Sequence, residues 1–343
     1  MPITRLGNVA QNNLQLFQIR TAQLRLADLE TQIVSGKKSQ NYSGISRDVP
    51  ALLAAENELA RIKRYEQNIV TAETRLELSE ANTAGMQDIT EQMKQITNII
   101  PVDYDLVAEQ AQNFLSLFGD LMNAQDSTRY LFGGTNTGSP PVTIYLPGTG
   151  PAPDPANPTG QTIFGSPNAD AANSTAGYRF QINATGLDTD TQIQINQSLN
   201  VTVQYTATNN TVPATANSTN AFQEALIGLV SLADQSNTAI YPAPTQTDTE
   251  TARNRLNNAL NGVSGSYKSF SEMRTSLSTT NKTIDSVKNT FYNVKNISEN
   301  TIIRVEDVDN TEAAIRLQEN MVQLEATYSA VQQISRLTLL DYL

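Results

Sequence analysis

No cysteine, histidine or tryptophan occurs anywhere in the 343 residues. Without cysteine there is no disulfide, no thiolate metal site and no thiol nucleophile. Without histidine the usual general base, the commonest zinc ligand and the Ser-His-Asp triad are gone. Charge is scarce too: 17% of residues are charged and the net balance is −11. That disfavours nucleic acid, whose affinity rests on Lys and Arg neutralising phosphates. No stretch approaches ~18 apolar residues, so no membrane insertion is expected. Residues 1–20 hold Arg5 and Arg20 but no apolar core, so no cleavable secretory peptide is expected there. No cofactor, metal or catalytic residue is expected, and carboxylate-only catalysis is the chemistry these absences leave open.

What the chain has instead is helical periodicity, most clearly near its C-terminal end. Ala314, Leu317, Met321, Leu324, Tyr328 and Val331 recur in alternating steps of three and four on an otherwise polar surface. This is the seam of a coiled coil, and it needs a partner helix. An ordinary amphipathic helix in a globular core would show the same spacing. The N-terminal segment mirrors it with Ile19, Ala22, Leu26, Leu29 and Ile33, with Leu14 and Phe17 upstream. That helix should stop at Ser35-Gly36, with Gly36 as the left-handed terminator and Lys37 and Lys38 facing the negative helix end. Residues 1–40 carry a side-chain balance of +3 and residues 304–343 one of −4. Opposite charge at the two ends suggests that the termini pair. The ten residues Ile19, Ala22, Leu26, Leu29, Ile33, Leu317, Met321, Leu324, Tyr328 and Val331 are the expected polymerisation interface. Leu324, at the seam's centre, is expected to face water in the free chain.

Between the ends, Asp48 and Pro50 open a long helix. Ile62, Tyr65, Ile69, Ala72, Leu76, Ser79 and Thr83 keep the heptad, and Met86, Ile89, Met93, Ile96 and Ile100 continue it after a phase slip. Residues 62–100 would span roughly 58 Å as one helix, which Pro101 ends. A second helix, about Asp105 to Thr128, presents Val107, Ala111, Phe114, Leu117 or Phe118, and Leu121. From Gly133 to Asn220 only Asp154, Asp170, Arg179, Asp188 and Asp190 are charged. Short alternating runs there read as strands: Thr143–Leu146, Gln161–Phe164, Tyr178–Asn183, Thr191–Ile195 and Leu199–Thr206. Asn196-Gln197-Ser198 could close a hairpin between the last two. Disorder is the alternative for 147–177. Asn220 caps a further helix with Gln223 three residues on; Phe222, Leu226 and Leu229 or Val230 face inward. A second long helical stretch then runs from Leu256 through Tyr267, Phe270, Leu277, Ile284 and Phe291 to Val308. The expected fold is mainly α: a long antiparallel helical rod with a β-rich insertion. Its divisions are 1–45 with 304–343 as terminal helices, 46–132 with 220–303 as the rod, and 133–219 as a β-rich surface domain, of which about 137–215 is expected to be dispensable for export and assembly. Unpaired seams at the ends of long antiparallel helices suit a polymerising subunit.

Three stretches carry a family resemblance. Ile33-Val34-Ser35-Gly36-Lys37-Lys38, followed by Asp48 and Ala51, resembles the Leu-Ser-Ser-Gly-Lys-Arg…Asp-Asp-Pro-Ala motif of bacterial flagellins. Arg129-Tyr130-Leu131-Phe132-Gly133-Gly134-Thr135, then Pro140-Pro141, is similar to the Tyr-Leu-Phe-Ser-Gly stretch of the family's hook-filament junction branch (hook-associated protein 3). Leu337-Thr338-Leu339-Leu340-Asp341-Tyr342-Leu343 resembles the family's C-terminal ending. The resemblance covers roughly 1–140 and 220–343. It implies a structural subunit of the bacterial flagellum, exported unfolded through the flagellar type III apparatus with a possible export chaperone. It further implies assembly outside the cell with copies of itself and other axial proteins. The terminal helices would form the inner tubes and the β insert would face solvent. The start lacks the Ile-Asn-Thr-Asn of typical flagellins, which favours the junction branch, with the main filament the alternative. Asp88 and Thr90 stand where the family's Leu-Gln-Arg-Val-Arg-Glu stretch, seen by a vertebrate innate receptor, has arginines.

Two other classes fit less well. A surface adhesin would use the insert to bind carbohydrate and the helices as a stalk. A glycosidase would pair carboxylates such as Asp188 and Asp190, but those two read more simply as turn residues. Asn183-Ala-Thr and Asn217-Ser-Thr match glycosylation sequons of the kind that Asn- and Thr-rich sequence yields by chance.

Overall fold

In the computed structural model the described residues are 3–99, 102–127, 129–134, 136–150, 163–165, 175–183, 190–207, 220–263 and 267–340. Side chains are described in the first helix only for 13, 14 and 16 onward, in the last only as far as 333, and not in 163–165. Ile100, Pro101, Asp188 and the 217–219 sequon lie outside the described residues, as do the side chains of the 337–343 ending. Among the described residues the fold is mainly α. Seven helices run α1 (Ile3–Ser35), α2 (Val49–Ile96), α3 (Tyr104–Met122), α4 (Ala221–Ala233), α5 (Gln246–Asn261), α6 (Phe270–Glu306) and α7 (Asn310–Leu340). Between α3 and α4 lie short antiparallel strands: β1 (Gln125–Asp126), β2 (Arg129–Tyr130), β3 (Val142–Tyr145), β4 (Ile163–Gly165), β5 (Arg179–Ile182), β6 (Thr191–Gln194) and β7 (Asn200–Gln204). They form a β1–β2 ribbon, a three-stranded sheet in the order β3-β5-β4, and a β6–β7 hairpin. The hairpin turns through Asn196-Gln197-Ser198, and the Ile195 N–H donates to the Leu199 carbonyl at 3.0 Å.

The chain divides into two compact units, residues 1–62 with 291–343 and residues 63–290. The divisions fall inside α2 and inside α6.

The α2 heptad is legible turn by turn. Ile62, Ile69, Ala72, Leu76, Ser79, Thr83, Met86 and Met93 are all buried. The expected phase slip after Thr83 does not occur: Thr90 and Thr97 are buried beside Ile89 and Ile96, so the stripe widens instead. The buried threonine hydroxyls are tolerated because they bond back along the helix. Thr83 donates to the Ser79 carbonyl and Thr90 to the Met86 carbonyl, each at 2.7 Å. Side chains tie α2 to α6 with antiparallel spacing: Lys288 to Glu73 at 2.7 Å, and Arg274 to Gln87 at 3.2 Å.

The second helical stretch differs from expectation. It is not continuous, because α5 stops at Asn261 and α6 starts at Phe270. Gly262 ends α5 with φ 74 and ψ 165. That conformation is essentially reserved for glycine, since any Cβ would strain there. Its N–H closes the last turn on the Asn258 carbonyl at 2.7 Å.

α4 explains why the larger unit holds together. Every residue from Ala221 to Ala233 except Gln223 is buried, and a helix apolar all round must be covered all round. α3 and α5 pack against it. Its N-terminus carries the anticipated capping box: Asn220 accepts from the Gln223 N–H, and Gln223 accepts from the Asn220 N–H.

The insert contributes to this same core. Val142, Phe180, Ile182, Val203 and Tyr205 are buried. Asn123 at the end of α3 holds both backbone groups of Val142, at 2.9 and 3.1 Å, and the buried Asn220 side chain donates to the Ala207 carbonyl. The described part of the insert therefore packs into the core of this unit. Deleting residues 137–215 strips apolar cover from α3 and α4. The expected result is a chain that loses its cooperative melt or aggregates, read by calorimetry and soluble yield. An undiminished melting temperature would show that the helices carry the core alone.

Candidate assembly surface

Within the unit formed by residues 1–62 and 291–343, α1 packs against α7. α1 ends at Ser35, and Gly36 (φ 71) turns the chain, as the sequence requires. The chain then pairs with the α6–α7 connection: Lys37 and Asp307 form an antiparallel bridge, Lys38 N–H donates to the Glu306 carbonyl at 2.7 Å, and Val308 N–H donates to the Gly36 carbonyl at 2.9 Å. Lys37 Nζ meets Glu306 at 2.8 Å. That hydrogen bond, then the charge of Glu306, raises the Lys37 pKa. The Lys38 ammonium reaches the Arg304 and Val305 carbonyls. Both lysines therefore sit at a helix C-terminus, but at that of α6 rather than of their own helix. The unsatisfied carbonyls and negative dipole end there favour a cation.

The α1 seam lies where the heptad places it. Ile19, Ala22, Leu26, Leu29 and Ile33 are each half-buried, and the intervening residues are mostly exposed. On α7 the half-buried set is Leu317, Asn320, Leu324, Thr327 and Val331, headed by the buried Ala313. Leu317, Leu324 and Val331 are shared with the expected seam. At the alternate positions the burial falls one residue earlier, on Ala313, Asn320 and Thr327 instead of Ala314, Met321 and Tyr328. In the single chain Leu324 is half-buried rather than facing water, and Met321 and Tyr328 are more exposed than Asn320 and Thr327.

Met321 is left 48% exposed and Tyr328 41% exposed. The Tyr328 hydroxyl accepts a 2.9 Å bond from the Gln23 side chain, which places it at the edge of the helix pair. Ile315 and Val322 are also more than half exposed on α7, as are Leu14, Leu16, Phe17, Leu24 and Val34 on α1. An α7 that half-buries polar Asn320 and Thr327 while Met321 and Tyr328 stay exposed has more apolar surface than one partner helix covers. Heptad counting alone could not find this rotation, since it follows from which flank α1 occupies.

No group of His, Cys, Asp and Glu side chains suited to a metal occurs among the described residues, and no described helix is long and apolar enough to cross a membrane. Asp190, one of the two carboxylates weighed for catalysis, accepts bonds from the Thr206 N–H and hydroxyl at 3.0 and 3.2 Å. It locks the base of the β6–β7 hairpin, and burial raises its pKa.

Comparison with known proteins bears on the helical end of the chain. No curated protein matches the sequence. Among solved structures, a Vibrio parahaemolyticus protein assigned provisionally as flagellar hook-associated shares 11% identity over 82% of this chain and 97% of its own, with a TM-score of 0.41. FlgL of Xanthomonas campestris shares 14% identity over 80% of this chain and 99% of its own, with a TM-score of 0.27. Residues 260–343, which contain α6 and α7, match the bacterial flagellin C-terminal helical region.

Proposed function

We propose that the chain is a structural subunit of the bacterial flagellum that self-assembles through the outer faces of α1 and α7, at the junction between hook and filament. The observation that carries the assembly reading is the apolar surface left over by the α1–α7 pair, with Met321 and Tyr328 beside the seam and Phe17 and Leu24 on α1. In a polymer this surface is covered by neighbouring copies and by other axial proteins. The ten sequence-derived interface residues then divide into two roles. Those in the seam hold α1 to α7, and Met321 and Tyr328 face the neighbour. The junction position is favoured by the Tyr130-Leu131-Phe132-Gly133-Gly134 stretch. The main-filament reading is the second one, because the matched C-terminal region is that of flagellins. Delivery as an unfolded chain through the flagellar export apparatus, with an export chaperone, belongs to the same proposal, as does the division into terminal, rod and surface portions. The role is structural and not enzymatic.

Immunogold labelling of whole cells tests the position. A single band where hook meets filament is expected. Label along the whole filament would replace the junction reading with the filament one, and absence from the flagellum would overturn both.

A further inference from the structure

The end of α4 holds a buried acid outside the α1–α7 pair. Asp234 is the residue at the C-terminus of α4, and it is fully buried. Its Oδ1 accepts the Tyr178 N–H at 2.9 Å, just where the chain enters β5. Its Oδ2 is buried with no hydrogen-bond partner. Three residues on, Asn237 donates to the Ala176 carbonyl at 2.8 Å. Gly177 lies between these two bonds, so close to Asp234 and Ile240 that a Cβ would collide with both. The last turn of α4 therefore grips the strand at the centre of the β3-β5-β4 sheet.

The Tyr178 N–H and the charge of Arg179 favour the carboxylate, but burial outweighs both. The last carbonyls of a helix oppose an anion, and a buried carboxylate lacking a cation in contact bears a heavy desolvation cost. From β5 the facing titratable groups are Tyr178 and Arg179. The Arg179 guanidinium donates to the Thr149 carbonyl and lies 6.0 Å from the Tyr145 ring centroid. It pulls the Asp234 pKa down only in part. From α3, Gln112 donates to the Ala233 carbonyl, and Asp120 lines the same cleft as Tyr178. From the segment after α4, Gln235 and Asn237 are uncharged.

We propose that Asp234 is a proton-controlled latch between α4 and the β3-β5-β4 sheet, closed when its carboxyl is protonated and loosened when it ionises. Burial pushes this acid up to about 7, so ionisation falls near neutral pH. The sign follows from linkage. A folded-state pKa above the unfolded one gives a contribution complete below the ordinary carboxyl range and lost as pH rises toward about 7. Between pH 5 and pH 8 the latch should open about a hundredfold more readily, most of the change falling below pH 7.

The test is amide exchange of β3 and β5 in the full chain, with rates corrected for intrinsic pH dependence. Wild type should lose about a hundredfold of protection in β5 from pH 5 to pH 8. Asp234→Asn keeps the acceptor for Tyr178 and should make the protection independent of pH. A pH-independent wild type, or a variant that keeps the full wild-type slope, would overturn the proposal. Should Asp234→Asn fail to fold, the carboxyl carbon of Asp234 can be followed by NMR in the wild type. A midpoint near neutrality supports the latch and an ordinary carboxyl midpoint refutes it.

Discussion

Asp at both Met321 and Tyr328 is expected to abolish assembly while leaving the melting curve of the single chain close to that of wild type. In the single chain both side chains reach water, so a carboxylate there needs no desolvation. Exposed substitutions of this kind usually stay within about 0.5 kcal/mol. The exposed Gln23–Tyr328 bond is lost, worth about 0.5–1.5 kcal/mol. In a packed polymer each subunit would bury two charges without partners, at several kcal/mol apiece. Growth repeats that cost at every addition, so it should stop.

Leu324→Asp provides the contrast. Leu324 sits between Leu317 and Val331 in the face that meets α1. A carboxylate there should loosen the α1–α7 pair in the single chain, seen as faster amide exchange in both helices. Tube formation by electron microscopy and melting by circular dichroism separate the two cases. If the double variant polymerises at the wild-type yield, the outer flank of α7 is not an assembly surface. If it melts far below wild type, Met321 and Tyr328 belong to the internal seam after all.

These contrasts mark where sequence reading succeeded and where it stopped. Helix ends were legible because their chemistry is local: Gly36 closes α1, Asn220 with Gln223 opens α4. Strands β3, β6 and β7 fell within a residue or two of the alternating runs, since the period of two needs only neighbours in sequence. The α1 seam was legible for the same reason, with one apolar residue per turn and polar ones between. The α7 seam was half legible. Ala313, Asn320 and Thr327 have no apolar signature, and only the position of α1 selects them over Ala314, Met321 and Tyr328. The break at Gly262 was passed over because Leu256, Leu260, Tyr267 and Phe270 are all buried on both sides of it, and periodicity continues where the backbone does not. Asp234 could not have been found at all. Nothing in Leu232-Ala233-Asp234-Gln235 distinguishes a buried acid from an ordinary exposed helix end until Tyr178, far away in sequence, is seen bonded to it.

Phe222→Ala should have the largest effect on stability of any single truncation in the unit formed by residues 63–290. Four phenylalanines from four different segments meet there: Phe118 from α3, Phe132 beyond β2, Phe222 from α4 and Phe270 from the start of α6. All four are fully buried. Phe222 is the link, edge-on to Phe132 with centroids 5.5 Å apart and to Phe270 at 5.6 Å. Phe270 continues to Phe118 at 6.2 Å. Truncating a buried Phe costs about 3–5 kcal/mol in transfer and cavity terms, and each edge-to-face pair adds about 0.5–1.5 kcal/mol beyond area. Neighbouring backbones cannot collapse easily into the hole. Gly228, two turns along α4, already lies against Leu256 and the Ala252 carbonyl so closely that a Cβ would not fit, so α4 cannot sink further toward α5. The expected fall in melting temperature is roughly 10 °C for a unit of this size. Phe222→Leu retains most of the volume and should cost about 1.5 kcal/mol or less. Equal losses for the two variants would mean that the site is expanded rather than close-packed, and a change under about 2 °C for the alanine variant would mean that the aromatic chain does not hold these four segments together.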